Sequence, residues 1–149
     1  MKYPENPCIY STFIFVINII IGIYYHEYIY ASLFVALFIT SILFHSNSNS
    51  NSKNNSKQKQ IYLILDLIIV FTIFMYGGYV FLQKIIIKKN KNPILSGIII
   101  LTFFTTAYLF FYGYYSNQYC YDIDKQVANL YHILLHIIGA LGHIFIMTL

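Results

Sequence analysis

The sequence predicts an all-α, multi-pass transmembrane bundle of about five spans. Three observations carry that expectation. Of the 149 residues 58% are hydrophobic, only 9% are charged, and mean hydropathy is +0.63, all outside soluble-domain composition. Five apolar stretches approach the length of about 20 residues that a helix needs to cross about 30 Å of hydrocarbon. None alternates in polarity over about 10 residues as a membrane β-strand would.

The spans are expected roughly at residues 8–25, 28–45, 61–82, 94–115 and 130–149. The first run follows a short n-region with Lys2 its only basic side chain. No small-residue cleavage site comes after it, so it reads as a retained helix. His26-Glu27 carries a tight first turn. Residues 46–60 form a Ser/Asn/Lys/Gln tract too polar to bury, which predicts a low-complexity, disordered loop within a single transmembrane domain of residues 1–149. Lys84 to Pro93 holds four lysines and reads as a solvated loop, with Pro93 suited to the first turn of the next helix. Ser116 to Val127 is the last connection. Gly97, Gly139, Ala140 and Gly142 offer places where helices can approach closely.

The net charge of +4 comes from lysines in loops, which implies anionic head groups as neighbours and no nucleic-acid role. Five lysines fall on the N-terminal side of the membrane and four on the other, so the positive-inside rule sets no orientation. The sequon Asn54-Asn55-Ser56 could be glycosylated, and Cys8 could pair with Cys120, only if that N-terminal side were lumenal.

Against this oily background stand Ser41 and His45, Asp66, and His132 and His136. Ionisable groups at membrane depth are costly and are usually there because a site needs them. Ser41 and His45 lie four residues apart, as do His132 and His136, and such pairs share a helix face. By topology all five groups fall near one membrane surface. Three histidines with an open fourth position make a catalytic zinc pattern. Asp66 could take and return a proton, and Ser41 could hydrogen-bond the attacking water or a developing oxyanion. Plainer readings exist for each residue. His45 could be an interfacial helix end, Ser41 could bond back to its own helix, and the histidine pair could be a helix–helix hydrogen-bond cluster. His143 shares the face of that pair but lies about 10 Å beyond His136, which suits packing or a cavity wall.

Ser-x-x-x-His near the end of one span, Asp early in the next and His-x-x-x-His in the last resemble the CREST superfamily of membrane hydrolases. The stretch from His132 to Gly142 is similar to the last helix of its alkaline ceramidases. The resemblance implies zinc on His45, His132 and His136, with Asp66 and Ser41 flanking its water. It also implies cleavage of a lipid amide or ester in an endoplasmic reticulum or Golgi-type membrane. The family has seven spans against the five here, so the cavity would be smaller or completed in a homo-oligomer. The family's acidic N-terminal calcium motif is reduced to Pro4-Glu5-Asn6, which leaves calcium without its usual ligands. A non-catalytic receptor of the adiponectin/progestin type and a degenerate structural membrane protein are the alternatives on the same scaffold.

Overall fold

In a computed structural model, residues 7–46, 55–87 and 92–149 are described, and among them there is helix and no strand. The all-α expectation holds. Pro4-Glu5-Asn6, Asn54 of the sequon, and Lys2, Lys53, Lys88, Lys89 and Lys91 lie outside the described residues. The five helices are α1 (Cys8–Tyr24), α2 (Tyr28–Ser46), α3 (Asn55–Ile86), α4 (Pro93–Ala107, running on through Tyr108–Tyr112 and Gly113–Ser116) and α5 (Lys125–Thr148). Four are long and apolar enough to cross a membrane; α1 is shorter. Their outward faces are oily. Ile61, Ile64, Ile68, Phe71 and Met75 of α3 are all more than half exposed. An apolar exterior on this scale suits hydrocarbon as the surrounding solvent. The chain divides into two compact units, Met1–Gly78 and Tyr79–Leu149.

In the first unit, α1 and α2 form a hairpin. The chain leaves α1 through a Schellman turn. His26 sits in the left-handed region at φ 60°, Glu27 N–H donates to Gly22 O at 2.8 Å, and His26 N–H donates to Ile23 O at 3.1 Å. His26 and Glu27 are therefore the tight turn expected. A side chain at Gly22 would meet the Ala31 backbone nitrogen at 3.1 Å, so glycine lets the hairpin close. Early in α1, at Thr12 and Phe13, the hydrogen bonds run to the third residue back, a tighter 3₁₀ geometry that breaks the helix after Ser11. Buried positions Tyr30, Phe34, Leu37, Ser41 and His45 of α2 recur every three or four residues and define its inner stripe.

The third helix corrects one expectation. It begins at Asn55, so residues 55–60 of the polar tract are helical rather than disordered, while 47–54 lie outside the described residues. Lysine and glutamine are good helix formers. Gln58 Nε2 donates to Tyr62 Oη at 2.7 Å one turn on, carrying the helix out of its apolar stretch into polar surroundings.

Within the second unit Asn92 caps α4, its Oδ1 accepting from Leu95 N–H at 3.1 Å, with Pro93 in the first turn as expected. The last part of that span widens into one π turn at Tyr108–Tyr112. It ends at Asn117, left-handed at φ 52°. Asp124 caps α5, accepting from Gln126 N–H at 2.8 Å. The helices α4 and α5 pack through small residues. A Cβ on Gly142 would lie 2.7 Å from Thr102 Oγ1 and 3.2 Å from its Cβ.

Lys84 overturns the solvated-loop reading at its position. It belongs to α3, is buried, and its ammonium donates to Ile146 O at 3.0 Å and Met147 O at 2.8 Å. These are carbonyls of the last turn of α5, where orphan acceptors and the negative end of the helix dipole favour a cation. Lys84→Met is expected to cost about 1.5–3 kcal/mol, the worth of hydrogen bonds to a charged group, read as thermal unfolding in detergent. Gly142→Ala is expected to cost about 1–3 kcal/mol by overpacking, while Gly97→Ala, where an added Cβ meets open space within a helix, should raise the melting temperature slightly, by about 0.4–1 kcal/mol of stability.

Candidate functional site

Asp66 lies about 7–8 Å along α3 from Ile61, where that helix turns apolar. It is 8% exposed. An aspartate at the centre of a membrane helix costs about 2.5–3.5 kcal/mol when nothing meets its charge, which is the upper end of the cost at this shallower position. Here two hydroxyls from α2 meet it. Ser41 Oγ donates to Asp66 Oδ1 at 2.7 Å and Thr40 Oγ1 donates to the same oxygen at 2.9 Å. Consecutive helical residues point about 100° apart, so Oδ1 occupies the cleft between the two side chains. Hydrogen bonds to a charged acceptor are worth about 1.5–3 kcal/mol each, so two of them are of the size needed to offset the burial.

The plainer account of Ser41, a bond back to its own helix, does not describe it: its proton goes to Asp66. That same bond narrows its expected chemistry. A hydroxyl has one proton to give. While Ser41 donates to Asp66 it serves other groups as an acceptor, so it can receive a hydrogen bond from a water but does not donate to an oxyanion. His45 lies one turn beyond Ser41 on the same inner stripe, 3% exposed, with Nε2 sealed from solvent. A residue merely ending a helix at the head groups would be solvated. Ser41, His45 and Asp66 are thus all buried.

In the second unit His132 and His136 occupy one face of α5, their rings 4.7 Å apart between centroids and inclined at 76°. His136 is buried and His132 half-buried. Ala140, His143 and Met147 continue the face at helical spacing, with Ala140 and Met147 buried and His143 half-buried. Each ring presents a nitrogen of the kind a divalent ion takes, with imidazole suited to zinc among first-row metals.

Cys8 and Cys120 are both free thiols, so neither belongs to a disulfide. Asp122 and Asp124 are spent on the turn before α5, Asp122 Oδ1 accepting from Asp124 N–H at 2.9 Å. Tyr108, Tyr112 and Tyr119 pack on one another, the first two stacked at 4.8 Å, beside the π turn.

Two polar residues that carry the buried electrostatics escaped the sequence reading. Thr40 was indistinguishable from other membrane threonines, although a Thr-Ser pair preceding an intramembrane aspartate is the signal that could have found it. Lys84 was hidden by the lysines that follow it. Comparison of the chain with protein-family models, with curated proteins and with solved structures found no match.

A double-mutant cycle tests the clamp. Ser41→Ala and Asp66→Leu are expected to couple by about 1–2 kcal/mol in thermal unfolding, because Ser41→Ala removes one of two donors to the buried carboxylate, Asp66→Leu strands the Ser41 hydroxyl, and the double change does neither. Additive costs would show that the two side chains act independently.

Proposed function

We propose that the chain is a zinc-dependent membrane hydrolase acting on a lipid amide or ester, with His45, His132 and His136 as metal ligands and Asp66 as proton acceptor. One observation supports this most: a buried aspartate inside an apolar helix is held by Ser41, one turn from a buried histidine. A purely structural helix contact rarely uses an ionisable group where an apolar one costs less. The donor set is compatible with a metal site. The three histidines are buried or half-buried, and each offers one ring nitrogen.

Zinc with three imidazole ligands supplies a water of pKa about 7 and polarises a carbonyl. The chain's own residues supply the rest. Asp66, with Oδ1 fixed by two hydroxyls, accepts the proton of the attacking water and returns it to the leaving amine or alcohol. Ser41 orients the carboxylate and accepts a hydrogen bond from the water. The apolar helix faces admit acyl chains and keep bulk water from the scissile bond. The resemblance to alkaline ceramidases favours an N-acyl lipid as substrate.

Purified protein is expected to hold about one zinc per chain by elemental mass spectrometry and to lose it in His132→Ala and in His45→Ala. It is expected to release fatty acid from a fluorescent N-acyl sphingosine or a fluorescent phosphatidylcholine, with Asp66→Asn inactive while retaining zinc. Metal-free wild-type protein, or zinc bound equally by the histidine variants, would falsify the assignment.

A further inference from the structure

We propose that Thr40 is a positioning residue that, with Ser41, holds the Asp66 carboxylate in one orientation and so leaves Oδ2 as its reactive oxygen. The proposal deepens the hydrolase reading and rests on it for the word reactive; the clamp itself does not.

Both hydroxyl bonds fall on Oδ1, and among the described residues none falls on Oδ2. The terminal torsion of an aspartate is broad and roughly two-fold. A single donor would let the carboxylate swing about that bond and exchange its oxygens. Two donors about 100° apart on the helix fix one oxygen between them and thereby the direction of the other. A general base must reach its proton within about 2.6–3.2 Å, so fixing that direction contributes to rate without touching the reacting atoms.

The two hydroxyls are not equivalent. Ser41 has its one acceptor on Asp66. Thr40 Oγ1 lies 2.9 Å from Asp66 Oδ1 and also 3.2 Å from Leu37 O, the carbonyl of its own preceding turn. One proton therefore has two acceptors. When the carboxylate is charged it is the stronger and nearer acceptor. When Asp66 has taken a proton, Thr40 can fall back on Leu37 and remain satisfied in a medium without water. Thr40 can thus follow the charge on Asp66 while Ser41 stays as the anchor.

The test uses the whole protein in lipid bilayers with carbon-13 aspartate. The chain has only Asp66, Asp122 and Asp124, so three side-chain carboxyl signals are expected and Asp66→Asn assigns one. In Thr40→Val the Asp66 signal is expected to shift and broaden as the carboxylate gains a second orientation. The two loop signals should hold their positions and report an intact fold. Thr40→Ser keeps the hydroxyl and is expected to restore the wild-type line. With the fluorescent N-acyl sphingosine, Thr40→Val is expected to lower kcat about tenfold at unchanged KM and zinc content, the loss of one charge-assisted hydrogen bond. A Thr40→Val spectrum superimposable on the wild type overturns the proposal, as does a Thr40→Ser line displaced as far as that of Thr40→Val. If wild-type protein hydrolyses neither probe lipid, the hydrolase reading fails, and the spectra still decide the clamp.

Discussion

A carboxyl group in hydrocarbon has to find donors within the protein, and this constraint organises the first unit. Asp66 meets it with Thr40 and Ser41, both on α2. The two bonds tie α2 to α3 at the one carboxylate oxygen. The same constraint acts at Lys84, where the donors are three ammonium protons and the acceptors are helix-terminal carbonyls. In each case an ionisable side chain is met by polar groups of a neighbouring helix. Apolar packing does the remainder. Gly22 against Ala31 and Gly142 against Thr102 mark two close approaches between neighbouring helices.

The helices were legible in the sequence because hydropathy and length suffice for them. Their faces were not. Positions such as Val35, Ile39 and Leu43 on the outside of α2 are as apolar as Phe34 and Leu37 within, since hydrocarbon solvates both. The inner stripe from Tyr30 to His45 therefore emerges only from packing. Asp66 stood out because charge is rare at that depth. Ser41 stood out only through its spacing to His45, and Thr40 did not stand out at all. The start of α3 was misplaced for a physical reason: polarity marks where a helix leaves the apolar phase and does not mark where the helix begins. Helix propensity, high for the lysines and glutamines of residues 57–60, was the better guide there.

Of the candidate site, the sequence supplied the five named residues, and the structure supplied how some are held. Ser41 changed from a prospective oxyanion donor to a donor already engaged with Asp66. His45, expected as a metal ligand with an interfacial helix end as the plainer alternative, is buried. His132 and His136 kept their shared face, with rings close enough to act on one object. Chemistry that depends on direction, such as proton transfer, could not be read from spacing alone, because spacing fixes a face and not a rotamer.

The Lys84 contacts bear on how the protein is made. Its acceptors lie 62 and 63 residues further along the chain, so they are synthesised well after the lysine has left the ribosome. Until α5 enters the bilayer, the lysine's charge has no carbonyl cradle and favours the aqueous channel or the lipid surface. The lysine's contact with the last turn of α5 is therefore among the final interactions to form as the chain is made.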